Sequence, residues 1–327
     1  MSGVGVPPVG SVETVPCNLC GSTKLSFVYR RPEGIYFPDE WYDVVACDGC
    51  GLGFVNPRPT HEEIGRFYRR DYYDVFFTED HTERYRREYG YLPDVEGNGG
   101  EPALLDVGCG VGDFARYAAE RGWRVEGVEP HCPVPIEDFP VHRVAFDTVE
   151  GMEGHFDAVT AWAVLEHVHD PMAYFQKAGK ALKPGGTFVF QVTNFDSLSS
   201  RRLFQEDVPR HLYFFTRKTV DAYLGKAGMR LVSARFGDDI FSMSARGSVA
   251  YLFTRYIRRR SFEWQDMPLA WRDFLAAMGL TPGPLSLAKF ILSHPVAAAD
   301  RLAEPLVGRW QKATGAYGMV TYVARRS

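Results

Sequence analysis

Four of the six cysteines fall into two pairs, Cys17 with Cys20 and Cys47 with Cys50, each pair separated by two residues. Two such knuckles supply four thiolates from two tight turns, the set that tetrahedral zinc requires. Gly21 and Gly51 follow the knuckles and can relieve the backbone there. Four thiolates leave no open position, so the metal would be structural, and its binding would fold a module too small to fold alone. A pair of disulfides or unligated thiols is the competing reading. Cys109 and Cys132 lie outside this set and have no evident nucleophilic partner.

The second constellation is DVGCGVGDF, residues 106–114. Asp106 precedes a turn built from Gly108, Gly110 and Gly112, where glycine permits positive φ and close approach of a ligand to the backbone. The following helix turns its N-terminal amides toward the same place. A glycine turn alone is also compatible with a purely structural role or a nicotinamide cofactor. Here the spacing departs from GxGxxG, and a second strand ends in Glu129, whose carboxylate can accept both hydroxyls of a ribose. Together they describe a nucleoside site at the carboxyl edge of a parallel sheet.

The elements that must position these residues are legible as a strand–helix alternation. Residues 103–109, 124–130, 141–146, 156–162, 187–192 and 230–236 read as strands. Residues 112–122 read as a helix closed by Gly122, and Asp170-Pro171 opens another that runs to Leu182. Thr216 caps a third, ending near Gly228. Such alternation predicts a mostly parallel sheet covered on both faces. The last strand, 318–326, follows a helical stretch, which predicts an antiparallel final pair. The expected organisation is a flexible tail (1–16), a zinc ribbon (17–55), a helical lead-in or lid (56–98), a core (99–245 with 316–327) and a helical insertion capping the substrate (246–315).

At 327 residues, 45% hydrophobic and net charge −4, the chain can bury a large core and carries no basic surplus for nucleic acid. No apolar run is long enough to span a bilayer, and the N-terminal residues lack a secretory pattern. Paired cysteines in such a chain point to a reduced, cytoplasmic setting.

In order and spacing, DVGCGVGDF, VEGVEP, FDAVTAWAVLEHVHDP, LKPGGTFVFQV and RHLYFFTRKTV resemble the class I S-adenosylmethionine (SAM)-dependent methyltransferases. CDGCGLGFVNPRPTHEEIGRFYRRDYY resembles the zinc-ribbon lead-in of a bacterial subgroup associated with sugar, polysaccharide and natural-product tailoring. The resemblance covers residues 17–237 and the last strand. It implies an α/β Rossmann-like sheet that binds SAM. Asp106, Gly108, Cys109 and Gly110 would line its methionine part, Glu129 its ribose and Asp147 its adenine amine. Trp162 and Ala163 would lie beside the sulfonium and adenosine. Trp162 as core packing and Asp147 as a turn residue are the plain alternatives.

Two departures qualify the carry-over. The crossover HCPVPIEDFP (131–140) holds Pro133, Pro135 and Pro140, so a loop replaces the usual helix. In some quinone-type O-methyltransferases a glutamate three residues ahead of the Glu166-His167 pair helps bind a divalent metal, and here that position is Ala163. His167 and His169 are therefore read as shaping the start of the next helix.

Methyl transfer to a hydroxyl or an enolisable carbon needs a base. His211, in DVPRHLYFF after the fifth main strand, is the candidate, with a structural loop histidine as the competing reading. Asn194 and Asp196 are second-rank contacts to the acceptor. Tyr72, Tyr73 and Tyr85 could close over the sulfonium, although helix packing also accounts for them. AYLFTRYIRRR (250–260) could carry a solvated basic face, or a surface for membrane lipids or an anionic acceptor. The sequence thus predicts a SAM-dependent enzyme acting on a small molecule. An RNA or protein methyltransferase guided by the ribbon is disfavoured by Glu33, Asp39, Glu40, Asp43 and Asp48 in that module. A non-catalytic scaffold is disfavoured by the intact glycine loop and Glu129.

Overall fold

The computed structural model describes residues 10–69, 81–94, 101–131, 135–237 and 245–327. Tyr72, Tyr73, Cys132 and Pro133 lie outside them. The chain divides into two compact units. The first comprises residues 1–193, 207–241 and 319–327, and the second comprises 194–206 and 242–318.

The first unit is built on a seven-stranded sheet. Its strands are β6 (Ala103–Val107), β7 (Arg124–Val128), β8 (Val141–His142), β9 (Phe156–Trp162), β10 (Leu182–Thr193), β12 (Met229–Phe236) and β13 (Met319–Arg326). The spatial order is β12-β13-β10-β9-β6-β7-β8. The five from β10 to β8 run parallel, and β13 is antiparallel to both β10 and β12. This is the Rossmann-like methyltransferase arrangement that the sequence predicts, with its chain order reversing between β6 and β9. Ligands of open α/β sheets bind outside the carboxyl ends of strands at such a switch point.

Residues 103–107 form a strand because ALLDV is buried on both faces, as a central parallel strand must be. The helix α2 (Asp113–Ala119) buries Phe114, Ala115 and Ala118 against the sheet. In α3 (Pro171–Ala181), Asp170 caps Ala173 N and Pro171 occupies the first turn. In α5 (Arg217–Lys226), Thr216 and Thr219 form a reciprocal cap. Each cap is worth about 1 kcal/mol. Phe175 of α3 stacks on Tyr223 of α5 at 4.9 Å, over Phe188 and Phe190 of β10.

Three expectations are corrected. The strand read over 141–146 is only Val141–His142, because Phe146–Thr148 turns into a 3-10 helix that buries Phe146. The strand read from Thr187 begins at Leu182, with a bulge between Leu182 and Thr187 that accommodates the Pro-Gly-Gly turn. The N-terminal segment read as a tail is tied down from Val12. There β1 (Val12–Glu13) pairs with β5 (Arg58–Pro59), and Arg58 holds Glu13 at 2.8 Å.

The cysteine module forms a second sheet, β11-β4-β3-β2, from β2 (Leu25–Pro32), β3 (Trp41–Cys47), β4 (Gly53–Val55) and β11 (Tyr213–Phe214). Its last strand comes from the chain just beyond His211. The lead-in adds a 3-10 turn (Ile64–Phe67) and α1 (Thr82–Tyr89), which packs on α2.

The second unit is helical. It contains α4 (Leu198–Arg202), α6 (Ser248–Leu252), α7 (Trp271–Met278), α8 (Pro284–Ser293) and α9 (Pro295–Thr314). Asp300 of α9 is buried and accepts from Gly247 N and Val249 N at the start of α6. Phe274, Phe290, Ala297 and Ala298 form a small core.

Candidate active site and thiolate cluster

The glycine loop sits where β6 ends. Gly108, Gly110 and Gly112 all have positive φ, of 70°, 57° and 86°. The outer two are packed: a Cβ on Gly108 would meet Val164 Cγ2 at 2.5 Å, and one on Gly112 would meet Phe139 Cζ at 2.8 Å. A Cβ on Gly110 would meet nothing within 4 Å. The middle of the loop therefore faces open space, as a ligand-cradling turn requires.

Glu129 lies beside that opening. Its Oε2 accepts from Gly110 N at 3.1 Å and its Oε1 from His131 N at 3.0 Å. Each oxygen keeps a lone pair for a ligand hydroxyl. Asp147 is exposed in the 3-10 turn after β8, and its charge and that of Glu129 both act on Tyr174. Cys109 is buried, with its sulfur 2.7 Å from where a Cβ on Gly127 would stand. The crossover at 135–140 is a loop without helix, and Phe139 from it covers Gly112.

Trp162 and Ala163 end β9. Trp162 packs edge-on to Phe114 at 5.4 Å, and its indole N–H is buried with no acceptor among the described residues. The ring is core packing and the N–H is available to a ligand. Ala163 has φ of 55°, a strained conformation for alanine that turns the chain sharply at the strand end.

Asp106 is buried, accepts from Thr160 Oγ1 at 2.7 Å, and is pushed up to about 8, mainly by burial. Glu88 of α1 adds to that shift. Glu88 is itself fully buried and raised to about 7 by burial, against the pull of Arg84 at 2.8 Å. Its Oε2 has no hydrogen-bond partner among the described residues. Arg84 pairs with Glu88 and lowers Asp106 only through space, so among the described residues the two buried carboxylates have room for a further cation. Sequence reasoning missed Glu88, because it lies in a charged helix with no motif around it. Tyr85 takes the helix-packing role, donating to Asp113 Oδ2 at 3.2 Å and packing by Tyr117.

His211 is half-buried, edge-on to His167 with ring centroids 4.7 Å apart. Nitrogen and oxygen atoms of Glu166, His167 and His211 lie within 4.8 Å of one another. His167 Nδ1 is 3.1 Å from the Arg210 carbonyl and 2.9 Å from Tyr68 Oη. The carbonyl can only accept, so Nδ1 carries the proton and Nε2 is left unprotonated. Burial, reinforced by His211, pushes His167 down to about 3 and keeps it neutral. His169 Nε2 reaches the Pro59 carbonyl at 3.1 Å, a structural role. Asn194, in the second unit, donates to the carbonyls of Gly315 and Tyr317. Its amide is committed to the fold, which argues against the acceptor contact expected of it.

The loop carrying His211 is fixed by a buried ionic network. Arg210 bonds Asp207 through two nitrogens, at 2.5 and 2.8 Å, and Glu33 of the cysteine module at 2.8 Å. Burial would raise Asp207, but Arg210 holds it below the usual carboxylate range. Glu33 also accepts from the amides of Ile35, Tyr36 and Phe37.

The four thiols converge. Cys17 and Cys50 sulfurs are 3.5 Å apart, as are those of Cys20 and Cys47, and all four lie within 4.8 Å. Disulfide sulfurs would be about 2.05 Å apart. Thiolates on one zinc would be roughly 3.8 Å apart, given Zn–S near 2.3 Å. The spacing fits the metal. The two knuckles repeat one geometry, with Gly21 N donating to Cys17 O and Gly51 N to Cys47 O, both glycines at positive φ. Between the first pair, Asn18 bonds Asp170, Met172 N and Tyr223, docking the knuckle on α3 and α5.

The family described as "Methyltransferase domain" matches residues 77–234. Ubiquinone biosynthesis O-methyltransferase of Idiomarina loihiensis is 36% identical over 102 residues, covering 28% of this chain and 42% of that protein. The Pseudomonas paraeruginosa protein of the same name is 34% identical, over 28% and 44%. The chain thus spans under half the length of these relatives. A putative methyltransferase complexed with the Trm112 activator of Haloferax volcanii superposes with a TM-score of 0.47 at 15% identity, over 78% of this chain and 94% of that one. Residues 77–234, just under half of this chain, match the methyltransferase domain family.

Proposed function

We propose that the protein transfers a methyl group from SAM to an oxygen or carbon atom of a small molecule, a sugar, nucleotide-sugar or natural-product intermediate. The observation that carries this reading is the Glu129–Gly110 contact beside open space at the switch point of the sheet. When bound, SAM supplies an electrophilic methyl group on a good leaving group, displaced in line. The chain's own residues do the rest. Glu129 binds the ribose, with Gly108, Cys109 and Gly110 along the methionine part. Asp106 and Glu88 face its ammonium, and Asp147 faces the adenine. Trp162 and Ala163 line the wall. His211 takes the acceptor's proton, and His167, neutral and half-buried beside it, orients the ring. Cys17, Cys20, Cys47 and Cys50 hold a structural zinc. The name O-methyltransferase carried by the relatives favours oxygen as the acceptor atom.

The test is turnover of labelled SAM against a panel of sugar, nucleotide-sugar and phenolic acceptors. His211→Ala should lower kcat about 10²–10⁴-fold, the usual worth of a general base, while S-adenosylhomocysteine (SAH) still binds. Unchanged kcat in that variant removes His211 from the reaction.

A further inference from the structure

The helices α8 and α9 bury one side and leave large apolar residues on the other. In α9, Asp300 and Gln311 are buried, whereas Leu302, Leu306 and Trp310 are 76%, 67% and 57% exposed. Their spacing of four residues places them on one stripe of the helix. In α8, Phe290 is buried, while Leu285 and Leu292 are each 83% exposed. A soluble protein scatters exposed leucines singly, and stripes of them mark an interaction surface.

The fully exposed charges on the two helices are all positive. Lys289 is the only charged residue of α8. The exposed charges of α9 are Arg301, Arg309 and Lys312, since Asp300 is buried and Glu304 half-buried. Arg255, Arg258 and Arg259, beyond α6, are exposed as well. The second unit holds 12 Lys and Arg against 7 Asp and Glu, a surplus of five, in a chain whose total is −4. The positive charge is therefore concentrated on the unit that exposes the leucines.

We propose that the outer face of α8 and α9 is a docking surface for an anionic lipid membrane, with the leucines and Trp310 entering the headgroup boundary and the cations meeting lipid phosphates. Leucine and tryptophan beside Lys and Arg on surface helices is the composition of interfacial binding. Among the described residues no helix is long and apolar enough to cross a bilayer, so the contact is peripheral. A second copy of the chain is the less suitable occupant, because a two-fold contact through this face would bring like charges together.

The experiment is co-sedimentation of the full chain with vesicles of phosphatidylcholine alone or with phosphatidylglycerol, together with sedimentation velocity without lipid. Binding to the anionic vesicles only, weakening with salt, is expected. Leu302→Gln/Leu306→Gln should reduce it at least about tenfold, since burial of those side chains drives insertion. Arg309→Gln/Lys312→Gln should reduce it roughly fivefold per charge removed. These exposed substitutions leave the fold unchanged, verified by circular dichroism and SAH binding. No vesicle binding, equal binding to both vesicle types, or a dimer that the leucine substitutions dissociate would each overturn the proposal.

Discussion

Arg210 and Glu33 meet at 2.8 Å with neither side chain exposed, although 177 positions separate them in the chain. One belongs to the loop that carries His211 and the other to the cysteine module. Two residues further on, β11 joins β4 as a strand of that module's sheet, with Tyr213 opposite Phe54. The thiolate cluster is thereby connected, through one strand and one ion pair, to the residue proposed as the base.

Removing the cation from this network should be costly. Arg210→Leu leaves the fully buried Glu33 with its backbone amides but no cation, and a loss of about 3–5 kcal/mol is expected in urea unfolding. Glu33→Gln is milder. It should keep SAH affinity within about twofold while kcat falls and KM for the acceptor rises, because the cost falls on the His211 loop and not on the glycine loop. Equal loss of SAH binding would show that the pair merely supports the whole fold.

Metal removal tests the same connection from the other end. Stripping the thiolates with a strong chelator should release β4, and with it β11. Turnover should then fall together with the zinc content measured by atomic absorption, and readdition of zinc should restore both. Full activity in metal-free protein would reduce the module to an appendage.

The carboxylates near the glycine loop predict a pH dependence. Asp106 and Glu88 are raised to about 8 and about 7. Raised carboxylates are protonated at pH 6 and ionise as pH climbs past 8. A ligand ammonium prefers the ionised form, so SAH affinity should rise from pH 6 to 8.5, and binding should release protons, read as buffer-dependent heats. In the free protein the folded state binds these protons more tightly than the unfolded chain, so their contribution to stability declines as pH rises from about 4 to 8. Glu88→Gln should weaken SAH about tenfold or more, the worth of a charged hydrogen bond, yet leave methylthioadenosine, which lacks the ammonium, unaffected. Equal weakening of both ligands would place Glu88 away from the amino-acid end.

The sheet and both chemical motifs were readable because their signals are local. Apolar runs of strand length, Asp170 before Pro171, and glycines at fixed offsets each declare themselves within a dozen residues. The partners that complete the site do not. Glu33 looked like one acid among several in a non-basic module, and Arg210 like part of an ordinary loop, until the fold buried them together. Nothing in TERYRREY distinguishes Glu88 from its exposed neighbours except which side of the helix meets the sheet. The reading of 141–146 overstated its strand because Phe146 is buried from a turn. The outward leucines of α8 and α9 fit the pattern of any buried amphipathic helix, and only packing reveals that they point away from the core.

The most direct test of the central claim is calorimetric titration of the zinc-loaded protein with SAH, beside Glu129→Ala. The variant removes the acceptor of Gly110 N and of His131 N and, with it, the proposed ribose contact. Micromolar-range binding that is lost or much weakened in the variant is the predicted result. Absence of binding in folded protein, or unchanged affinity in Glu129→Ala, would contradict the account.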